Sequence, residues 1–145
     1  MQAWGLTDPG MIRPQNQDDY SIVKLGRDQL LAIVCDGMGG ARAGNIASSM
    51  AVEIFMNRFL HATGEWRERM QQAASEANRQ VFQKAITDEA YTGMGTTIVS
   101  AFVGIEEALI LNEGDSCLCL GGEKHSIANR MSECNVEVFA VILTY

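Results

Sequence analysis

The chain has 145 residues, 47% hydrophobic and 20% charged, and a formal net charge of −7. Those values fit one globular domain able to bury a core. The acidic balance excludes a nucleic-acid binder, which needs a basic footprint, and electrostatic docking on an anionic membrane.

Residues 17–24 and 30–35 read as two strands. In the first, Tyr20, Ile22 and Lys24 alternate with Ser21 and Val23; in the second, Leu30-Leu31-Ala32-Ile33-Val34 is a short buried run. Gly26-Arg27-Asp28-Gln29 supplies the turn of a hairpin. A glycine-rich loop over 37–44 follows, and then a helix whose apolar stripe is Ile46, Met50 and Ile54 with Ala47, Ala51, Phe55 and Phe59. Gly64 is its expected stop. A second helix is expected from Glu65 to Thr87, with Trp66, Met70, Ala73, Ala77 and Val81 on one face and Glu65 and Glu68 in the first turn, where the dipole favours acidic groups. Strands return over Gly95–Val103 and Ala108–Leu111, joined by Gly104-Ile105-Glu106-Glu107, and Cys117–Leu120 is a candidate short strand. Gly121–Asn135 is polar without a period, and Val136–Tyr145 is apolar enough for a strand or short buried helix. Strands joined by tight turns pair antiparallel. A helix pair between them covers one face of the sheet, which makes the fold α+β.

No apolar run reaches the roughly 18 residues of a spanning helix, and Met1-Gln2-Ala3-Trp4 is not the basic start of a signal peptide. A cytoplasmic location is therefore expected. Cys35, Cys117, Cys119 and Cys134 include no Cys-x-x-Cys pair, which argues against zinc and for buried thiols in a reducing compartment.

Several short segments carry possible chemistry. Asp36-Gly37-Met38-Gly39-Gly40 places a carboxylate at a strand end, followed by glycines that let the backbone approach an ion or phosphate. It is not a P-loop, since no Lys-Ser/Thr follows, and its spacing and following elements do not suit a dinucleotide fingerprint. Asp18-Asp19 opens the preceding strand, which sets it beside Asp36 across the hairpin. Arg13, five residues before Asp18, is able to clamp a phosphate with two parallel hydrogen bonds. Gly93-Met94-Gly95-Thr96-Thr97 and Gly114-Asp115-Ser116 lie next to strands. Each segment taken alone also reads as ordinary turn or surface chemistry.

Together and in this order, the segments Gly10–Tyr20, Leu30–Ser48, Met94–Ser100 and Leu111–Ser116 resemble the PPM-type (type 2C) protein serine/threonine phosphatases, in particular the small bacterial members. The resemblance covers residues 1–120, the N-terminal part of such a domain, and leaves 121–145 as a divergent tail. It implies an αββα sandwich of antiparallel sheets flanked by helices, with a manganese or magnesium pair at one end. Carried over residue by residue, Asp36 bridges both metals, Gly37 lends its carbonyl, and Asp18 supports a metal chiefly through water. Arg13 holds the substrate phosphate, Asp115 matches a weaker metal position, and Thr96 and Thr97 act from behind the metal ligands. Phosphorylated proteins are the implied substrates, with a bacterial serine/threonine kinase as the opposing enzyme. Two such ions generate a nucleophile from water near neutral pH, so no protein nucleophile is required.

The sequence also departs from the family. Ala41-Arg42-Ala43-Gly44-Asn45 stands where relatives often carry His and Glu, and Glu113 and Cys117 stand where an apolar residue and Arg are favoured. Met38 fills the place of a His found in eukaryotic members, so no general-acid His is assigned. No aspartate follows Asp115; the downstream Asp-Gly and Asp-Asn segments, each with a metal-binding aspartate, do not occur, and Glu123, Glu133 and Glu137 form no metal motif. Divalent ions of this kind want about six oxygen ligands each. The expectation is a truncated or frame-disrupted phosphatase with weakened metal sites. The alternatives are a non-catalytic module that binds a phosphorylated partner and an inactive partial domain.

Overall fold

The computed structural model describes residues 1–11, 15–40, 43–116, 118–121 and 137–139. Strand β1 (Asp18–Lys24) and strand β2 (Leu30–Met38) form an antiparallel hairpin that pairs Asp18 with Asp36 and Lys24 with Leu30. Helix α1 (Ala43–His61) and helix α2 (Trp66–Thr87) follow. The chain then returns to the sheet through β3 (Gly95–Thr96), β4 (Ile98–Val103) and β5 (Ala108–Glu113). The strand order is β1-β2-β4-β5, with β3 on the end of β2, and every pairing is antiparallel. A separate pair joins β6 (Cys119–Gly121) to β7 (Glu137–Phe139). The α+β class and the antiparallel sheet are as expected. Among the described residues the sheet carries one layer of helices, the αβ half of an αββα sandwich.

Period-2 geometry divides the residues of β2 between two faces. Leu31, Ile33 and Cys35 are fully buried and belong to one core with Ala47, Ala51, Phe55 and Phe59 of α1 and with Met70, Ala73, Ala77 and Val81 of α2. Ile98 and Phe102 of β4 join them. On α1 the seam is rotated from the expected stripe. Ala43, Ala47, Ser48, Ala51, Val52, Phe55 and Phe59 are buried, while Ile46, Met50 and Ile54 pack only at its margin. Small residues (Ala43, Ala47, Ser48 and Ala51) hold the first half of the seam and let α1 approach the sheet closely there, and Phe55 and Phe59 fill its second half.

Four aromatic rings tie the layers together. Phe55 stacks on Phe59 at 6.3 Å between centroids, Phe59 on Trp66 at 5.8 Å, and Trp66 on Phe102 at 4.6 Å. Arg69 lies over Phe59 and Trp66, 4.5 and 4.2 Å from the two centroids. Its Nε and Nη2 both donate to the Phe59 carbonyl, at 3.2 and 2.7 Å. That satisfies one of the carbonyls left open at the end of α1. The helix ends at His61, three residues before Gly64, which turns the chain at φ 105°.

The other face of the sheet carries Asp18, Tyr20 and Ile22 of β1 opposite Asp36, Val34 and Ala32 of β2. Val99, Ala101 and Val103 of β4 continue it and are buried. The Tyr20 hydroxyl donates to the Gly5 carbonyl at 3.0 Å, so the N-terminal segment crosses this face at Tyr20. Among the described residues no helix is long and apolar enough to cross a membrane.

Burial pushes the Cys35 thiol from 9.0 up to about 12; the Asp19 carboxylate adds to the rise and a hydrogen bond with Thr96 opposes it. The expectation of a buried thiol fits Cys35, which is fully buried; Cys117 and Cys134 lie outside the described residues.

Two stability predictions follow from this packing. Phe102→Ala, at 1% exposure, should lower the unfolding free energy by about 3–5 kcal/mol. Ile105→Ala in the exposed β4–β5 turn should stay within about 0.5 kcal/mol. Urea titrations of the two variants check both values, and equal losses would refute the assigned core. The folded thiol of Cys35 has the higher pKa, so its contribution is intact below pH 9.0 and is lost as pH rises towards about 12. Wild type should therefore lose stability over that range more steeply than Cys35→Ala; parallel curves would mean that the thiol is not insulated.

Candidate metal-binding end of the sheet

The β1–β2 register makes Asp18 and Asp36 direct partners. Partners across an antiparallel pair project from the same face, with Cβ atoms about 4.5–5.5 Å apart. The two carboxylates therefore stand side by side on the face away from the helices, at the start of β1 and near the end of β2. Both residues are half-buried. Asn16 shapes the approach to β1, since its Oδ1 accepts from the Asp18 amide at 3.0 Å and its Nδ2 donates to Thr7 Oγ1 at 2.7 Å.

Glycines bring α1 against this end of β2. A Cβ added to Gly37 would lie 1.9 Å from the Gly44 carbonyl oxygen, and one added to Gly44 would lie 2.8 Å from the Gly37 carbonyl oxygen. Only two residues without side chains can share that contact. Gln17 closes the loop around it, because its carbonyl accepts from the Gly37 amide at 2.9 Å and its Nε2 donates to the Gly40 carbonyl at 2.8 Å.

The backbone of Asp36 is held from the other side by the two threonines. Its carbonyl accepts from the Thr97 amide at 2.9 Å and from the Thr96 hydroxyl at 2.9 Å. Its amide donates to the Thr97 hydroxyl at 3.1 Å. Asp115 is exposed in the turn after β5, and the next residue, Ser116, shares a 2.8 Å hydrogen bond with Thr97. Asp18, Asp36, Gly37, Thr96 and Thr97 thus gather at one end of the sheet, with the Asp115 turn tied to them. Arg13 lies outside the described residues, as do Glu123 and Glu133. Gln17, Gly44 and Ser116 were not singled out by the sequence reading, although each lies inside or beside a quoted motif.

Two facing carboxylates, together with a carbonyl whose surroundings exclude a Cβ, form a hard oxygen donor set. They fit one side of a divalent-ion site. Among the described residues no group of three or more His, Cys, Asp or Glu side chains converges, so this side supplies only part of the roughly six oxygens that each ion requires.

The chain matches the protein phosphatase 2C family over residues 14–140, which extends past residue 120, where the motif-based resemblance ends. It is 36% identical over 121 residues to the serine/threonine phosphatase stp of Listeria welshimeri, covering 80% of this chain and 48% of that protein. It is 36% identical over 138 residues to protein phosphatase PhpP of Streptococcus pneumoniae, covering 90% of this chain and 55% of that protein. Among solved structures, the S. agalactiae serine/threonine phosphatase superposes with a TM-score of 0.72 at 33% identity, over 81% of this chain and 50% of that one. The chain thus spans about half the length of the curated relatives it matches.

The Gly37–Gly44 contact yields a direct test. Gly37→Ala should cost about 1–3 kcal/mol by overpacking. Gly26→Ala, where the nearest atom would be 3.8 Å away, should change stability by no more than about 0.5 kcal/mol. Denaturant midpoints of both variants check this, and a neutral Gly37→Ala would rule out the backbone contact.

Proposed function

The chain belongs to the protein phosphatase 2C family, and on that footing we propose that it acts as a metal-dependent serine/threonine protein phosphatase. The observation that carries the reading is the register pairing of Asp18 with Asp36 beside the Gly37–Gly44 contact. In this reading Asp36 and the Gly37 carbonyl hold the metals directly, Asp18 supports them through water, and Asp115 serves a weaker position. Arg13 orients the substrate phosphate, and Thr96 and Thr97 fix the backbone that carries Asp36. Manganese or magnesium, when bound, supplies the acidity that makes water a nucleophile at neutral pH and offsets charge on the phosphoryl oxygens.

The residues of the chain itself have positioning and electrostatic roles. The facing carboxylates make a local negative field that favours hard cations over neutral ligands. A guanidinium at Arg13 offers two parallel donors to a phosphate monoester and thereby orients it. Holding the reacting groups in place in this way removes entropy from the barrier. The substrates would be phosphoserine and phosphothreonine in proteins, the products of a serine/threonine kinase, and the reaction would take place in the cytoplasm.

Turnover of a phosphothreonine peptide by the full chain should require added manganese. Asp36→Asn should reduce it by more than the roughly 100-fold that loss of an outer-shell partner costs. Peptide binding without turnover, in the folded chain with manganese present, would replace this reading with that of a phosphoprotein-binding module.

A further inference from the structure

The β-ladder is irregular at Asp36. Val34 pairs with Val99 on one side and Gly37 with Thr96 on the other. Continuing either register sets Asp36 opposite Thr97, where a regular antiparallel pair exchanges two backbone hydrogen bonds. Only one of the two is made, from the Thr97 amide to the Asp36 carbonyl at 2.9 Å. The Asp36 amide instead donates to the Thr97 hydroxyl at 3.1 Å. The Thr97 carbonyl accepts from the Thr96 hydroxyl at 3.1 Å.

The side chain of Thr97 therefore decides where the Asp36 amide points. That side chain is 2% exposed, and its rotamer is set by the turn after β5. Ser116 Oγ lies 2.8 Å from Thr97 Oγ1. A Cβ at Gly114 would lie 2.8 Å from Thr97 Cγ2, so the turn closes against the methyl group as well. Asn112 Nδ2 donates to the Ser116 carbonyl at 2.9 Å and pins the turn in place.

We propose that Ser116 is a positioning residue for Asp36, acting through the Thr97 hydroxyl to hold the Asp36 backbone out of the regular ladder. Without the serine hydroxyl, Thr97 loses the partner that fixes its rotamer. The amide of Asp36 is then able to return to the Thr97 carbonyl, which turns the carboxylate away from Asp18. The consequence for metal binding rests on the reading of Asp36 as a metal-holding carboxylate; the consequence for its backbone does not. Partners of this kind behind a metal ligand change affinity by about 10–100-fold.

The experiment is amide NMR of the full chain, comparing wild type with Ser116→Ala and Ser116→Thr, followed by manganese titration of each. Ser116→Ala should shift the Asp36 amide resonance, speed its hydrogen exchange, and raise the manganese concentration that broadens it by about 10–100-fold. Ser116→Thr keeps a hydroxyl and should restore wild-type behaviour. An unchanged Asp36 amide in Ser116→Ala overturns the proposal, and so does equal manganese affinity in wild type and Ser116→Ala. A shifted Asp36 amide with no manganese binding even by wild type would leave the positioning role standing and reject the phosphatase reading. If Ser116→Ala does not fold, Asn112→Ala, which removes the hydrogen bond that pins Ser116, decides. A shifted Asp36 amide in that variant supports the proposal and an unchanged one overturns it.

Discussion

The end of β2 is organised by a contact between backbones. Gly37 and Gly44 meet with no side chain between them, and a single methyl group on either would collide with a carbonyl oxygen of the other. This close approach lets the first turn of α1 rest on the strand where Asp36 leaves the sheet. Gln17 completes the corner with one backbone and one side-chain hydrogen bond to the same loop. Widening the corner would move the helix, the glycine loop and the carboxylate together, because all three share that contact.

From this corner two kinds of packing divide the sheet. On the helical face, burial of apolar area provides the stabilisation, and the ring sequence Phe55, Phe59, Trp66, Phe102 locks both helices to β4. On the opposite face, the apolar positions Val99, Ala101 and Val103 give way at one end to Asp18, Asp36 and Thr97. Polar groups can be kept half-buried there because the hydroxyls of Thr96 and Thr97 satisfy the Asp36 backbone that the irregular ladder leaves open, while Ser116 bonds the Thr97 hydroxyl in turn. The register of β1 on β2 therefore sets Asp18 and Asp36 side by side at that end of the sheet.

The connection between the Asp115 turn and Asp36 crosses the sheet through side chains as well as through strand pairing. Asn112, Ser116 and Thr97 form a continuous set of hydrogen bonds from the end of β5 to the middle of the site. Two sequence segments more than 75 residues apart, Cys35–Gly37 and Gly114–Ser116, are mechanically coupled in this way.

Much of this was legible in the chain alone. The alternation of 18–24, the apolar run 30–34 and the turn residues between them specify a hairpin, because local period and turn chemistry act within a few residues. The hairpin in turn sets Asp18 beside Asp36, so the central pair of the site could be read without coordinates. The order of the glycine and aspartate motifs pointed to the family for the same reason, since each motif is local. Three things required the tertiary structure. The buried seam of α1 starts with small residues and ends with Phe55 and Phe59, leaving Ile46, Met50 and Ile54 at its margin, because Gly37 and Gly44, seven positions apart in the chain, bring the start of the helix close to the strand. The acceptor for the Asp36 amide is a hydroxyl, which no pairing rule foresees. Finally, Ser116 reads as an ordinary turn residue until the sheet brings it within 2.8 Å of Thr97. Sequence determines what each segment prefers on its own; only packing decides which of the remaining donors and acceptors meet.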